Sequence, residues 1–186
     1  MTPEITLDEN HIYHDEAGRV VPGVTGIIKA CGLMDLTWAT AHARDRGTAV
    51  HAAVEMYEQD DLDESTLNHE FAPYLAGWKS FKADTGFRSE TQEQIIHNKT
   101  YNYAGTLDMT GTIDGKTCLI DIKTGVFQPY WAIQLSAYNA VVKRQKRLSV
   151  ELKDDGKYRV TEHADKRDWP RFLACLTVAG MKESWR

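Results

Sequence analysis

The sequence lacks a long apolar segment. Its longest nearly uninterrupted apolar run, Tyr130–Val142, includes Gln134, Ser136 and Asn139 and is shorter than the ~20 residues that a membrane-spanning helix needs. The first ten residues are acidic and contain no apolar core, which argues against a secretory signal. We therefore expect a cytoplasmic protein that makes no membrane contact.

Cysteine is scarce as well. Cys31, Cys118 and Cys175 stand among apolar neighbours, and no two of them have the Cys-x-x-Cys spacing of a metal or redox motif. Three cysteines cannot all pair with one another. We interpret them as reduced thiols of a cytosolic protein.

An excess of positive charge is also missing. The chain has 22 Lys and Arg against 27 Asp and Glu, a net charge of −5. A protein that binds nucleic acid through bulk charge alone is usually basic, so any such binding here must depend on a local patch. One patch exists, in residues 143–147, and it has two interpretations: a contact for nucleic acid, or a solvated helix end whose cations suit the helix dipole.

What is present is the composition of an ordinary globular protein. Of the 186 residues, 42% are hydrophobic and 26% are charged, which excludes disordered and fibrous classes. We find no internal repeat and no low-complexity tract. The length predicts a single domain over residues 1–186, with an N-terminal hairpin and short helix in 1–39 and a core in 40–180.

Apolar periodicity and turn residues predict a mixed α/β (α+β) fold. Helices come first, followed by three strands, a helix, two strands and a closing helix. The predicted elements are strands Ile5–Leu7 and Ile12–His14, a short helix capped by Thr25, helices Thr40–Gln59 and Asn68–Asp84, strands Phe87–His97, Tyr101–Ile113 and Lys116–Lys123, a helix from Pro129 to about Lys146, two strands around the turn at 154–156, and a helix from about Lys166 to Met181.

The Asp-Gly pair at 114–115 is a strong signal for a two-residue hairpin turn. If the turn is tight, Ile113 pairs with Lys116, and the same register places Asp108 directly across from Asp121. Opposed like charges destabilise a sheet unless something compensates for them. A divalent cation with hard oxygen ligands would do so.

An acid-x-Lys pattern is weak evidence by itself, because four copies occur in this chain. Three of them, which begin at Asp114, Glu151 and Asp155, lie at or beside polar turns. Only Asp121-Ile-Lys123 lies in an apolar strand and faces a second carboxylate. The alternative interpretation is a surface cluster of ion pairs.

Two helices offer further polar pairs at four-residue spacing, which places each pair on one helix face. His51 and Glu55 form the first pair, and Gln134 and Tyr138 the second. Each has a plain structural alternative: a histidine satisfied in the core or at the surface, and a helix that packs an aromatic ring on the core.

Four short motifs resemble the signature series of the PD-(D/E)XK nucleases, and most closely that of the RecB-type branch. The series spans residues 46–138 and is also similar to that of stand-alone phage exonucleases and of the mitochondrial genome maintenance exonuclease. Leu107 replaces the proline that names the superfamily, and Asp121 stands where many members have Glu. The motifs are Arg46-Gly-Thr-Ala-Val-His51, Gly105-Thr-Leu-Asp108, Asp121-Ile-Lys-Thr-Gly125 and Gln134-Leu-Ser-Ala-Tyr138.

The resemblance implies a restriction-endonuclease-like core, with a central mixed sheet flanked by helices, and a metal-dependent DNA nuclease activity. It assigns four ligands to Mg²⁺ or Mn²⁺: His51, Asp108, Asp121 and the backbone carbonyl of Ile122. Oxygen ligands suit these hard ions, and the imidazole favours Mn²⁺. Lys123 joins His51, Asp108 and Asp121 as a catalytic residue.

The resemblance implies that Gln134 and Tyr138 contact nucleic acid, and the acidic net charge requires a basic rim where the protein meets DNA. Glu55 and Glu93 are candidates to support the ligands or to hold a second metal ion, and Arg44, Lys146 and Arg147 extend a basic rim. The predicted nucleic-acid contacts are Gln134, Tyr138, Arg46, Thr124, Lys143 and Arg144.

Three functions stay open at this point. The first is an exonuclease that acts on DNA ends or single strands in recombination or repair, in a bacterial or phage-infected cell. The second is an endonuclease of the same fold with structure or sequence preference, and the third is a non-catalytic DNA-binding module. No helicase motif accompanies the chain, so a recombinase, helicase or single-strand-binding protein would be a separate partner.

Overall fold

A computed structural model describes residues 5–34 and 40–184. Residues 35–39 of the predicted N-terminal segment and both chain ends of the predicted 1–186 domain lie outside the described residues. The described elements are β1 (Ile5–Leu7), β2 (Tyr13–Asp15), β3 (Val20–Val21), α1 (Val24–Ala30), α2 (Ala41–Glu58), a short 3-10 helix (Glu64–Thr66), α3 (Ala72–Thr85), β4 (Arg88–Asn98), β5 (Tyr103–Ile113), β6 (Lys116–Lys123), α4 (Tyr130–Val142), β7 (Lys146–Leu152), β8 (Tyr158–Glu162) and α5 (Asp168–Ser184).

The central sheet has five strands in the order β4-β5-β6-β7-β8. Its pairings are antiparallel except for β6 with β7, which are parallel and are connected through α4. Strands β1 to β3 form a separate small antiparallel sheet. The mixed α+β fold class, with a central mixed sheet flanked by helices, is therefore confirmed.

The hydrophobic core lies on both faces of the large sheet. On one face, α1, α4 and α5 bury a cluster that includes Leu119 and Leu135. On the other face, α2 and α3 bury a cluster that includes Val54, Trp78 and Ile120. Strand β6 contributes alternate residues to the two clusters, so its C-terminal end is covered by helices from both sides.

The β5–β6 hairpin forms in the predicted register. Asp114 and Gly115 take positive φ angles of 50° and 73°, as a two-residue hairpin turn requires. Ile113 pairs with Lys116, and the regular pairing continues as far as Met109 with Ile120. Asp108 and Asp121 are next along each strand.

Helix α2 begins and ends almost where the sequence predicts. The hydroxyl of Thr40 caps it by accepting a hydrogen bond of 3.1 Å from the backbone N–H of Ala43, and Gln59 follows its last residue. Helix α3 ends at Gly86, whose left-handed φ of 65° is a common way to end a helix.

Three predicted helix boundaries are wrong. Helix α3 begins at Ala72 and not at Asn68. Helix α1 has Gly23 at its N-cap, without a side-chain cap, so Thr25 lies inside the first turn instead of capping it. Helix α4 ends at Val142 because Lys143 adopts a left-handed conformation, with φ of 52°. Lys146 therefore begins strand β7 instead of ending a helix.

Each helix within the described ranges is too short or too polar to cross a lipid bilayer.

Candidate active site

Asp121 and Lys123 lie at the C-terminal end of β6 and form a buried ion pair. The side chain of Asp121 is 2% exposed, and its Oδ2 atom lies 2.6 Å from Nζ of Lys123. Burial raises the pKa of Asp121 to about 6, against the opposing influence of the Lys123 ammonium. Burial lowers the pKa of Lys123, but the charges of Asp121 and Asp108 outweigh it and leave that pKa raised, so the ammonium is favoured.

Asp108 connects the two strands at this end of the hairpin. Its Oδ2 atom accepts a hydrogen bond of 2.6 Å from the backbone N–H of Ile122, and it lies 3.6 Å from Nδ1 of His51. The negative charge of Asp108 also raises the pKa of Asp121, as expected for two nearby carboxylates. The structure thus brings Asp108, Asp121 and Lys123 together around one hairpin end.

His51 reaches the hairpin from the middle of α2. Its Nε2 atom lies 3.0 Å from the backbone carbonyl of Ile122. A carbonyl oxygen can only accept, so this hydrogen bond requires the proton to be on Nε2, which leaves the lone pair of neutral histidine on Nδ1. Nδ1 faces Asp108 at 3.6 Å, so each ring nitrogen of His51 lies beside one of the predicted metal ligands, Asp108 or the Ile122 carbonyl.

Glu93 completes a possible metal-binding group. One ligand atom from each of His51, Glu93 and Asp108 can be chosen so that all three lie within 4.8 Å of one another. Glu93 adopts a positive φ of 43°, and its pKa is raised to about 7 by partial desolvation and by the charge of Asp108, although the residue as a whole is exposed. Glu55, one turn after His51, contributes to the same rise in pKa and accepts a hydrogen bond from Gln59.

These residues suit a hard divalent cation. Two carboxylates and one imidazole are a donor set that Mg²⁺ and Mn²⁺ accept. Asp121 adds a further carboxylate, whose Oδ2 is buried close to Lys123 but lacks a hydrogen bond of good geometry from any described residue. The ammonium of Lys123, 2.6 Å away, compensates for the charge of this buried oxygen, so the case for a cation depends on the donor set of His51, Glu93 and Asp108.

Gln134 and Tyr138 are buried on α4 and form a chain that ends at Lys123. Nζ of Lys123 donates to Oε1 of Gln134 at 3.2 Å, and Nε2 of Gln134 donates to the hydroxyl of Tyr138 at 3.1 Å. Lys123 also lies 5.7 Å from the centre of the Trp131 ring. In this arrangement Gln134 and Tyr138 hold the lysine, and their predicted contact with nucleic acid stays a prediction.

A cleft of about 580 Å³ opens beside this centre. The residues that line it include His51, Lys123, Arg44, Arg46 and Lys153. Arg46 donates a hydrogen bond of 3.3 Å to the carbonyl of Thr124, and its guanidinium lies 5.8 Å from the centre of the Tyr74 ring. The cleft is therefore lined by cations from the first half of α2, from the end of β6 and from the residue after β7.

The cations of residues 143–147 lie elsewhere. Arg144 pairs with Glu90 at 3.0 Å, and Lys146 pairs with Glu162 at 3.4 Å. Arg147, whose side chain is 12% exposed, pairs with Asp168 at 3.0 Å. None of these residues, nor Lys143, is among those that line the cleft. Their predicted contact with DNA stays a prediction.

The sequence predicts Glu151 and Lys153 at or beside a polar turn, and for Glu151 this prediction is wrong. Glu151 pairs with Lys123 across the parallel strands β6 and β7, and its side chain is 1% exposed. Its Oε2 atom lies 3.0 Å from Nζ of Lys153, which lines the cleft. Glu151 therefore lies in a buried strand, and only the parallel pairing could have revealed it, because its sequence neighbours indicate a polar turn.

No protein-family model and no curated protein sequence matches this chain. Comparison of structures, in contrast, finds similar folds. LHK-Exo, an alkaline exonuclease from Laribacter hongkongensis solved in complex with dAMP, has 15% sequence identity and a TM-score of 0.51, over 87% of each chain. A candidate exonuclease from Eubacterium rectale has 11% identity and a TM-score of 0.52 over 70% of this chain, which spans 63% of that structure. The chain thus has the fold of these two proteins, consistent with the PD-(D/E)XK nuclease-like fold that its motifs predict.

Proposed function

We propose that this protein is a metal-dependent nuclease that hydrolyses phosphodiester bonds in DNA, and that it is an exonuclease acting on ends or single strands. One observation carries the proposal. The buried Asp121–Lys123 ion pair adjoins the cluster of His51, Glu93 and Asp108 at a cleft lined by further cations.

The metal ion would be Mg²⁺ or Mn²⁺, held by His51, Asp108 and Glu93, with Asp121 and the Ile122 carbonyl as the further predicted ligands. Such an ion, when bound, supplies a Lewis acid for a phosphate oxygen and lowers the pKa of a water molecule. The carbonyl of Ile122 also orients the imidazole of His51, because it accepts a hydrogen bond from Nε2.

Lys123 stabilises the negative charge that develops on the scissile phosphate. Its ammonium is held by Asp121 at 2.6 Å and by Gln134 at 3.2 Å, so it needs little reorganisation when the phosphate arrives. The side chain is 18% exposed and lines the cleft. A preorganised cation in a poorly solvated site is worth more than one in open solvent.

Arg44, Arg46 and Lys153 would bind phosphates on either side of the scissile bond, because they line the same cleft as Lys123. Lys153 is held there by the buried carboxylate of Glu151. These contacts reconcile an acidic protein of net charge −5 with a polyanionic substrate. They also make Thr124, whose carbonyl accepts from Arg46, a candidate phosphate neighbour.

The structural neighbours support the proposal. Both are named as exonucleases, and LHK-Exo was solved with dAMP, a deoxynucleotide. The same proposal includes a pathway, a location and a partner. The pathway is recombination or repair, and the location is the cytoplasm of a bacterial or phage-infected cell. The partner is a helicase, a recombinase or a single-strand-binding protein.

The test is a cleavage assay with end-labelled linear DNA, single- and double-stranded, in Mg²⁺, in Mn²⁺ and in chelator. We expect cleavage with a metal ion and none with chelator. Asp121→Asn should abolish cleavage, while Asp155→Asn, on an exposed turn, should leave it unchanged. Metal-independent cleavage, or full activity of Asp121→Asn, would refute the proposed site.

Circular DNA separates the two modes of cleavage. An exonuclease leaves covalently closed circles intact and releases mononucleotides or short products from linear DNA. An endonuclease of the same fold cuts both forms. Intact circles beside degraded linear strands are the result that we expect.

A further inference from the structure

A short loop with an unusual apolar exposure connects β6 to α4. Val126 is 80% exposed, more than any other large hydrophobic residue among those that the structure describes, and the next residue, Phe127, is 42% exposed. We call these two residues the apolar lip. Apolar side chains presented to water beside a functional cleft commonly mark a binding surface.

The apolar lip lies at the cleft of the candidate active site. Val126 lines the cleft together with Gly125 and Gln128, three residues after Lys123 in the chain. The ring of Phe127 packs edge-on against Trp131 at 5.3 Å, and Trp131 in turn lies under the ammonium of Lys123. The lip is thus connected to the candidate catalytic lysine through one aromatic ring.

Phe127 is held in place although it is partly exposed. Its ring is parallel to that of His163, with centroids 6.5 Å apart and an angle of 9°, and nearly perpendicular to Trp131 at 71°. His163 is itself fixed by a hydrogen bond of 2.9 Å with the hydroxyl of Ser149. An aromatic ring fixed on one side and open on another can stack on a flat ligand at low entropic cost.

We propose that the apolar lip receives an unpaired nucleobase next to the scissile phosphate, so that the preferred substrate is a single strand or a frayed end. Charge complementarity identifies this occupant. The cleft is lined by Arg44, Arg46, Lys123 and Lys153, with Asp154 as its one carboxylate among the described lining residues. A polymer that has both phosphates and flat bases fits cations and an apolar lip together, whereas in a duplex the base faces are already stacked. This inference deepens the proposed function and rests on it.

Binding in chelator tests the inference without cleavage. The probes are a labelled single strand of about twelve nucleotides and a strand of the same length and charge made of abasic residues. Because both probes have the same number of phosphates, their affinity ratio isolates the contribution of the bases. We expect the wild-type protein to bind the base-containing strand roughly tenfold more tightly.

Val126→Ser and Phe127→Ala should each bring the affinity ratio towards one and leave the affinity for the abasic strand unchanged. Val20→Ser is the matched control, since Val20 is 63% exposed on β3 and lines none of the clefts described above. Val126 is so exposed that its substitution leaves folding intact, which thermal unfolding checks. An unchanged ratio in Val126→Ser and Phe127→Ala, or a ratio near one in the wild-type protein, would overturn the inference.

The inference and the proposed function can fail separately. The protein could cleave no DNA with any metal ion and still show a base-dependent affinity that the lip variants remove. That result would support the inference about the apolar lip and refute the proposed nuclease function. The protein could instead cleave DNA with a metal ion, with the same KM for single strands in the wild type and the lip variants. That result would support the nuclease function and refute the inference about the apolar lip.

Discussion

Gly105 and Tyr138 are packed so closely that position 105 has no space for a side chain. A Cβ atom built at Gly105 would lie 2.6 Å from Cε1 of the Tyr138 ring and 3.4 Å from a methyl group of Val24. Gly105 precedes Asp108 by three residues on β5, and Tyr138 ends the hydrogen-bonded chain that holds Lys123. The glycine of one predicted motif therefore fixes the tyrosine of another.

We expect Gly105→Ala to displace Tyr138, because the ring is buried and cannot move aside without disturbing its neighbours. Overpacking of this kind costs about 1–3 kcal/mol of unfolding free energy. Urea denaturation measures the loss, and the cleavage rate should fall with it as Gln134 loses its partner. Gly26→Ala is the control: it lies in α1 with no atom within 4 Å of the added methyl group, so it should be neutral or stabilising. Equal stabilities of Gly105→Ala and the wild type would contradict the packing argument.

Lys123→Ala should separate catalysis from binding. Loss of a preorganised cation typically lowers the turnover rate by about 10²–10³. Affinity for DNA in chelator should change little, because Arg44, Arg46 and Lys153 remain in the cleft. The variant should also be less stable, since it leaves Asp121 buried without its partner. Lys157→Ala is the control. It removes an exposed lysine that is paired with an exposed carboxylate, and it should alter neither the turnover rate nor the affinity nor the stability. Full activity of Lys123→Ala would remove Lys123 from the mechanism.

The site could be predicted from the sequence where its contacts are local. The Asp-Gly turn fixes the register of β5 against β6, and that register brings Asp108 close to Asp121. The four-residue spacing on α4 likewise places Gln134 and Tyr138 on one side, where they form a hydrogen bond. Turn type and helix periodicity are encoded within a few residues, so these inferences needed no tertiary information.

The parts of the fold and of the candidate site that the sequence does not predict depend on contacts between distant parts of the chain. Glu151 adjoins Lys123 only because β7 pairs in parallel with β6 after a crossover through α4, and nothing near Glu151 in the sequence encodes that register. The end of α4 was missed because Lys143 takes a left-handed conformation that is more typical of glycine. Glu93 lies close to His51 and Asp108 because β4 passes beside them, and its neighbours in the sequence do not encode that contact.

The pH dependence of stability should reveal Glu93 in the metal-free protein. Its pKa is raised to about 7, so the folded state holds this proton more tightly than the unfolded chain does. The stabilisation is therefore complete below the ordinary pKa of the carboxyl group and is lost as the pH rises through about 7. Asp121, with its pKa raised to about 6, acts in the same direction over a lower window.

Thermal unfolding in chelator, from about pH 5 to about pH 8, measures this effect. The Tm of the wild-type protein should fall as the pH rises, and Glu93→Gln should have a flatter profile near pH 7. Glu93 is exposed, so solvent screening reduces the size of the effect but not its sign. Glu90→Gln is a control on the same strand and should retain the wild-type profile. His163, whose pKa burial lowers, acts in the opposite direction at the lower end of this range, so the comparison of Glu93→Gln with the wild type near pH 7 decides. Identical profiles for the two proteins there would contradict the assigned direction.

The salt dependence of DNA binding should distinguish the cleft from the basic segment at 143–147. For a single strand, each neutralised phosphate contributes about 0.7 to the slope of log affinity against log salt concentration. Arg46 lines the cleft, so Arg46→Ala should reduce the magnitude of the slope by about that amount. Arg144 is paired with Glu90 and hydrogen-bonded to Thr110, so Arg144→Ala should leave the slope close to that of the wild type. If Arg144→Ala instead reduces the slope as Arg46→Ala does, the DNA strand contacts residues 143–147. The prediction that the strand binds only in the cleft would then be wrong.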